Sequence, residues 1–178
     1  MIESGQAWRG ARRVALVADS HGCLADGLPA ALAGADLIVH AGDVGSAAVL
    51  HELARLAPVL AVRGNNDVAS KWPAAEEADC AALVEVQAIG LAGGTLVVVH
   101  GHQWPATATR HRRLRSRFPD ARCIVYGHSH RRVLDLAESP WVVNPGAAGR
   151  ARAHGGAGWL GLEVTPGAWR VAVDAFPR

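Results

Sequence analysis

The sequence of 178 residues has little of what marks a secreted, disulfide-stapled or membrane-spanning chain. Its three cysteines, Cys23, Cys80 and Cys123, are isolated and odd in number, which argues against a disulfide framework. The N-terminus has no apolar core typical of a signal peptide, and no apolar run reaches the ~18 residues that a membrane span requires. We therefore expect a cytoplasmic protein without membrane association.

The chain also lacks a large excess of either basic or acidic residues. Eighteen basic and 16 acidic residues leave a net charge of +2 at pH 7, and Lys71 is the only lysine. This balance argues against specific nucleic-acid binding, which needs a clustered basic face. The one basic segment, residues 110–117 on a predicted helix, either steers anionic substrates or forms a solvated helix face, and we favour the solvated face.

Half of the residues are apolar and 19% are charged, a composition typical of a globular chain. The length predicts a single domain over residues 1–178, with residues 1–11 as a loosely ordered N-terminal tail. A domain of this size buries roughly two-thirds of its unfolded surface without help from a metal or a disulfide. A metal ion that the chain binds is therefore not needed for folding and can have a functional role.

Five short apolar runs, each followed by small and metal-binding residue types, organise the chain. They cover residues 14–18, 37–39, 59–62, 96–99 and 123–126. Helical candidates at residues 24–33 and 46–56 separate the first three runs, which predicts an α/β unit of parallel strands. Ligands gather at the carboxyl ends of such strands, and all five polar clusters lie there. Further strand-like runs, at residues 83–89, 131–136, 141–143, 160–165 and 169–173, predict a second, mixed or antiparallel sheet packed on the first.

The five polar clusters contain the residue types that bind borderline divalent metals. Asp19 and His21 lie two residues apart in the first cluster, and His128 and His130 repeat this spacing in the last. The remaining candidates are Asp43, Asn65 and His100. Each of these residues alone is more often a hydrogen-bonded or turn residue. All of them together, at five strand ends, predict a metal site.

The motifs DSH, GD, GNND, HGH and GHSH, in this order and spacing, resemble the calcineurin-like metallophosphoesterase superfamily. They are most similar to its small bacterial and archaeal phosphodiesterase branch, which is related to the Vps29 scaffold protein. The resemblance covers residues 14–146. It implies a four-layer α-β-β-α sandwich, with two packed mixed β-sheets flanked by helices, and a site for two metal ions.

Carried over residue by residue, the resemblance implies that Asp19, His21 and His130 hold the first metal ion, that Asn65, His100 and His128 hold the second, and that Asp43 bridges both. Mn is the favoured metal. Fe, Ni, Co and Zn stay open as alternatives, because the types of ligand do not distinguish among these metals. The resemblance implies attack on phosphorus by a hydroxide that bridges the two ions.

Residues beside these ligands are candidates for contact with the substrate. Asp43, Asn65 and His102 are the predicted catalytic residues, and His102, Asn66 and Arg150 are predicted to bind the substrate. For His102, contact with the substrate and a simple hydrogen bond to a metal ligand are equally favoured. For Arg150, we favour an ordinary exposed arginine over contact with the substrate. Many relatives in the wider superfamily have histidine at the position of Asn66. The amide of Asn66 cannot donate a proton to a leaving group as a histidine could. The small phosphodiesterase branch often lacks histidine at this position, so Asn66 places the chain with that branch.

The leading functional interpretation is therefore a metal-dependent phosphodiesterase that acts on a small phosphodiester. A phosphomonoesterase, including a nucleotide or protein phosphatase, would use the same ligands. A protein-interaction scaffold of the Vps29 type is the alternative from another functional class. It ranks last because all seven predicted ligand positions hold residues that can bind a metal. The sequence leaves homo-oligomerisation open.

Overall fold

The computed structural model describes residues 3–149 and 156–176. The strands are β1 (Glu3–Ala7), β2 (Arg13–Val17), β3 (Leu37–His40), β4 (Val59–Ala61), β5 (Val86–Leu91), β6 (Gly94–Val99), β7 (Cys123–Val125), β8 (Arg132–Asp135), β9 (Trp141–Pro145), β10 (Leu160–Val164) and β11 (Trp169–Val173). The helices are α1 (Leu28–Ala31), α2 (Ala47–Ala54), α3 (Glu77–Ala82) and α4 (Thr107–Arg117), and two 3₁₀ turns, Ala69–Lys71 and Ala74–Glu76, precede α3.

The strands form two mixed sheets. The five-stranded sheet has the order β11-β10-β2-β3-β4, and the six-stranded sheet has the order β1-β5-β6-β7-β9-β8. In the first, β2, β3 and β4 run parallel and β10 is antiparallel to β2. In the second, β6, β7 and β9 run parallel. The five strands predicted from the apolar runs are thus divided between the sheets, three in one and two in the other.

Alternation of apolar side chains along these strands builds a four-layer α-β-β-α sandwich. Val14 and Leu16 of β2 pack between the sheets against residues such as Leu96 and Val98 of β6. The alternate positions of the five-stranded sheet face the layer formed by α1, α2 and α3, and those of the six-stranded sheet face α4, where Leu114 is fully buried. Both faces of each sheet are covered, which explains the continuous apolar runs. The predicted fold class is confirmed.

Local differences from the sequence prediction have identifiable causes. The helix predicted over residues 24–33 is shortened to α1, because Gly27 adopts a left-handed conformation (φ 79°) immediately before it. Helix α2 begins close to its predicted position, where the Ser46 side chain accepts a hydrogen bond from the Ala48 N–H. Residues 3–7 of the expected N-terminal tail form β1, which pairs in parallel with β5. Among the described residues, no helix is long and apolar enough to span a bilayer.

Candidate metal centre

The predicted metal ligands all follow strands, at one edge of the two packed sheets. Asp19 and His21 follow β2, Asp43 follows β3, Asn65 follows β4, His100 follows β6, and His128 and His130 follow β7. Buried apolar side chains anchor β2, β3, β6 and β7, and the side chains of β4 are partly buried. The fold therefore brings loops from both sheets to one place.

Four of these residues form one compact group. The ligand atoms of Asp19, His21, Asp43 and His130 all lie within 4.8 Å of one another. The Nε2 atoms of His21 and His130 are 3.1 Å apart, and His130 Nε2 lies 3.6 Å from Asp19 Oδ1. Two imidazole nitrogens and two carboxylates form a ligand set suited to a borderline divalent metal ion.

The remaining ligands lie on the other side of Asp43. His100 Nε2 is 3.1 Å from Asn65 Oδ1 and 3.4 Å from Asp43 Oδ2. The His128 ring lies beside the His100 ring, with centroids 5.3 Å apart. Asp43 Oδ2 is also 3.9 Å from His21 Nε2 in the first group. One carboxylate oxygen thus faces histidines of both groups, which is the position required of a bridging ligand.

Hydrogen bonding fixes which nitrogen of His100 faces the centre. Its Nδ1 lies 2.8 Å from the Ala41 carbonyl oxygen, which is an acceptor, so Nδ1 carries a proton and donates it. The opposite nitrogen, Nε2, is directed at Asn65 and Asp43. A metal-ligating histidine is commonly oriented by such a bond to a backbone carbonyl.

The buried acidic and imidazole groups of the centre favour a cation. Asp19 is fully buried, and burial raises its pKa to about 7, against the opposing effect of His100. Burial lowers the pKa of His128 to about 4, so this ring is neutral at pH 7 and able to ligate. Burial also acts to raise the pKa of Asp43, but hydrogen bonds from His100 and Asn66 hold it well below its usual range.

One orphaned atom tests whether a metal ion fits. Asp19 Oδ1 accepts a hydrogen bond from the His128 N–H at 3.0 Å, whereas Oδ2 is buried and has no hydrogen-bond partner among the described residues. A carboxylate oxygen left buried and unpaired is costly. A divalent ion held by Asp19, His21 and His130 would satisfy it, so the residues fit the metal that their types predict.

Five of the ligands have an unusual backbone conformation. Left-handed φ angles occur at Asp19 (54°), His21 (48°), Asp43 (54°), His128 (67°) and His130 (54°). Among the described residues, Asp174 is the only other non-glycine residue with a positive φ. Such strain, on the order of 1 kcal/mol per residue, persists where the surroundings enforce it and is concentrated at functional sites. Here the His21 N–H donates to the Asp43 carbonyl at 3.0 Å, which ties two ligand loops together.

Two glycines of the motifs are required because neighbouring residues of the centre lie too close to leave room for a side chain. A Cβ atom on Gly64 would lie 2.1 Å from Asp43 Oδ1 and 2.2 Å from the Asp43 nitrogen. Gly42 has a φ of 86°, and a Cβ atom there would lie 2.7 Å from His100 Nδ1. The absence of a side chain at these positions lets the loops after β3 and β4 meet.

Asp67 is a residue of the centre that sequence reasoning missed. It is almost fully buried, and its carboxylate accepts hydrogen bonds from the N–H groups of Gly64 (2.8 Å), Gly45 (2.9 Å) and Val44 (3.2 Å). The Trp72 indole donates to the same carboxylate at 3.1 Å. Asp67 therefore holds the loop after Asp43 against the loop that carries Asn65. In the sequence it reads as an ordinary turn residue in GNND; the only further signal is Trp72, five residues later.

The predicted substrate-binding residues have different surroundings. The His102 ring is half-buried, 5.5 Å from the His100 ring and 6.3 Å from the His128 ring. Asn66 contacts Asp43 instead of facing open space, since its backbone N–H donates to Oδ1 at 2.8 Å and its side-chain Nδ2 donates to Oδ2 at 2.7 Å. Arg150 lies outside the described residues. Substrate contact by these residues stays a prediction.

Helix α4 carries the basic segment, and only some of its arginines form the predicted solvated face. Arg112, Arg113 and Arg117 are exposed. Arg110, in contrast, is buried and donates from Nε to the Trp104 carbonyl at 2.7 Å, and Arg115 pairs with Asp135 at 2.8 Å. The solvated-face interpretation is thus wrong for Arg110 and Arg115, because both guanidinium groups bind acceptors in neighbouring segments.

Comparison with known proteins identifies the family. Residues 13–166 match the calcineurin-like phosphoesterase superfamily domain. The chain belongs to this superfamily. It is 30% identical, over 112 residues, to a probable metallophosphoesterase of Methanothermobacter thermautotrophicus, and the match spans 63% of this chain and 60% of that relative.

Several solved structures have the same fold. Vps29 of Entamoeba histolytica in complex with Zn²⁺ superposes with a TM-score of 0.70 at 16% identity, over 90% of this chain and 97% of that one. A predicted phosphoesterase of Streptococcus pneumoniae gives a TM-score of 0.60 at 17% identity, over 92% and 98% of the two chains. These identities are low, so the likeness establishes the fold alone.

Proposed function

We propose that this metallophosphoesterase hydrolyses phosphate diesters, using two divalent metal ions, with Mn favoured. The observation that carries the proposal is the position of the Asp43 carboxylate, with Oδ2 within 4 Å of His21 in one group of ligands and of His100 in the other. The Zn²⁺ complex of the Entamoeba Vps29 is consistent with divalent metal binding by this fold.

The chain offers three further ligands on each side of Asp43. Asp19, His21 and His130 would hold one ion, and Asn65, His100 and His128 would hold the other. When bound, the two ions would supply a deprotonated water near neutral pH and offset negative charge on the phosphate oxygens. The left-handed ligand loops fix the directions of the side chains in advance, so little reorganisation is needed during the reaction.

We propose that His102 contacts the phosphate. Burial and the neighbouring His100 lower the pKa of His102, so at neutral pH its ring is uncharged and offers one N–H donor. Its Nδ1 is buried and has no hydrogen-bond partner among the described residues. A donor beside the His100 and His128 rings would orient a nonbridging phosphate oxygen.

Diester specificity is tested by comparing bis(p-nitrophenyl) phosphate with p-nitrophenyl phosphate on protein stripped with EDTA and reloaded with Mn. We expect kcat/KM for the diester to exceed that for the monoester by about tenfold or more, a difference of about 1.4 kcal/mol or more between the activation barriers. The reverse order would establish the phosphomonoesterase. Loaded protein that hydrolyses neither ester would favour a scaffold of the Vps29 type.

Asn66 leads to a prediction about the leaving group. A histidine that donates a proton typically contributes about 10²–10⁴-fold, and Asn66 cannot make this contribution. We expect steep dependence of kcat on leaving-group pKa in the wild type, so that aryl diesters react readily and alkyl esters poorly. Asn66→His should accelerate alkyl esters more than aryl esters.

Asn66→Ala is the control for this comparison. It removes the Asn66 side-chain hydrogen bond to Asp43, as the histidine variant does, but introduces no acid. Metal content is measured for all three proteins. A shallow leaving-group dependence in the wild type would show that another residue, such as His102, already provides the proton.

A further inference from the structure

A cavity of about 420 Å³ adjoins the metal centre on the side of the six-stranded sheet. Its walls include the ligand His128 and its neighbour Ser129, together with Thr107, Arg110, Tyr126 and Arg131. This volume lies in the range of small-molecule sites, which is roughly 300–1,000 Å³. A substrate whose phosphate lies at the metal centre would therefore have room for one of its ester groups here.

The polar lining of the cavity favours an anion. Arg110 and Arg131 both contribute to the walls, and none of the lining residues is acidic. Arg131 is exposed and forms no ion pair with the described residues, so its guanidinium is available to a ligand. Thr107 and Ser129 add two hydroxyl groups that can donate hydrogen bonds.

The wall that carries Arg110 is held rigidly. The Arg110 guanidinium donates from Nη2 to the Pro105 carbonyl at 3.1 Å and lies 5.5 Å from the centre of the Tyr126 ring. The Tyr126 hydroxyl bonds His111 Nε2 at 3.0 Å, and His111 Nδ1 bonds Asp135 at 2.7 Å. His111 is thus half-buried in a supporting network. Arg115 pairs with the same Asp135, so this carboxylate is already compensated.

The start of α4 adds a second source of positive potential. Thr107 is the first residue of this helix, and the preceding Ala106 has no side chain that could cap it. The first N–H groups of a helix lack partners within the helix and attract anions. Backbone and side-chain donors thus meet at the same cavity.

We propose that this cavity binds an anionic ester substituent, so that the preferred substrates are phosphate diesters in which one ester group carries a second phosphate. Arg131 is the specificity-determining residue that contacts this second phosphate, and Arg110 contributes fixed positive charge. This inference rests on the proposed diesterase function, since the cavity adjoins a metal ligand. It assigns to Arg131 a role that the sequence did not suggest.

The kinetic test uses two p-nitrophenyl phosphate diesters, one with a methoxyethyl second ester group and one with a phosphoryl group in place of its methyl group. The Mn-loaded wild type should have the higher kcat/KM for the phosphorylated diester. Arg131→Gln should lower this value by about tenfold, as expected for loss of one charge-assisted hydrogen bond, and change the value for the methoxyethyl diester less than twofold. Arg113→Gln makes the same charge change at an exposed position of α4 that does not line the cavity. Equal losses for both substrates, or equal losses in both variants, would overturn the inference.

A binding measurement separates this inference from the proposed function. Inorganic phosphate is titrated into metal-free ¹⁵N-labelled protein, and shifts of the backbone amide signals are followed. We expect the largest shifts at Thr107, Ser129 and Arg131, reduced by Arg131→Gln and unchanged by Arg113→Gln. If neither diester is hydrolysed but these shifts occur, the diesterase function fails and the anion site stands. Shifts spread over Arg112, Arg113 and Arg117 instead would contradict the site.

Discussion

Replacing Asp43 by alanine should abolish binding of both metal ions and lower diester turnover by more than about 10³-fold. Asp43 Oδ2 lies 3.4 Å from His100 Nε2 and 3.9 Å from His21 Nε2, so the loss removes a ligand from both groups at once. Loss of one group that stabilises transition-state charge typically costs about 10²–10³-fold, and here two ions depend on it. The measurement is elemental analysis of Mn-saturated, dialysed protein, with kcat on bis(p-nitrophenyl) phosphate.

Two variants are the controls for this experiment. Asn65→Ala removes a ligand of only one group and should retain about one equivalent of Mn. Asp79→Ala removes an exposed carboxylate of α3 and should retain two. A fully loaded Asp43→Ala protein with normal activity is incompatible with a bridging role for Asp43.

Replacing Asp19 by asparagine should stabilise the metal-free protein at pH 8. Burial raises the pKa of Asp19 from 3.8 to about 7. Between these values the folded state holds a proton that the unfolded state has released, so the free energy of unfolding falls as pH rises. Asparagine has no charge and removes this dependence. At about 1.4 kcal/mol per pKa unit, the gain at pH 8 is on the order of 4 kcal/mol.

The gain is measured by urea unfolding of EDTA-treated wild type and Asp19→Asn from pH 4.5 to pH 8. The difference in free energy of unfolding should be small at the acidic end and grow up to about pH 7. Asp120→Asn, at an exposed turn, should show no such growth. A difference that stays constant with pH would show that Asp19 is not the titrating group. Added Mn should stabilise the wild type more than Asp19→Asn, because the variant lacks a ligand.

The strands of the metal centre could be predicted because each is an apolar run that ends abruptly in polar residues. β2, β3, β4, β6 and β7 all correspond to such runs. A helix was also predicted over residues 24–33, and Leu24, Leu28 and Leu32 in this range are buried. The left-handed Gly27 limits that helix to α1, and an apolar pattern does not reveal the conformation of one glycine.

Contacts between distant segments outside the set of metal ligands could not be predicted from the sequence. Asp67 looks like a turn residue until three backbone N–H groups from two loops converge on it. Arg110 and Arg115 lie in an arginine-rich segment, and only the position of α4 over β9 and the preceding loop buries Arg110 and partly buries Arg115. Likewise, the left-handed Asp19 and His21 donate backbone hydrogen bonds to Gly42 and Asp43 in the loop after β3, and local sequence does not encode these contacts.

We expect both metal ions, held around Asp43, to be needed for diester hydrolysis. The most direct measurement is turnover of bis(p-nitrophenyl) phosphate by EDTA-stripped protein as Mn is added in fractions of an equivalent, with bound Mn determined at each point. Hydrolysis should rise as the second equivalent binds and reach its plateau at two per chain. A plateau at one equivalent, or fully loaded protein that does not hydrolyse the diester, would contradict this account.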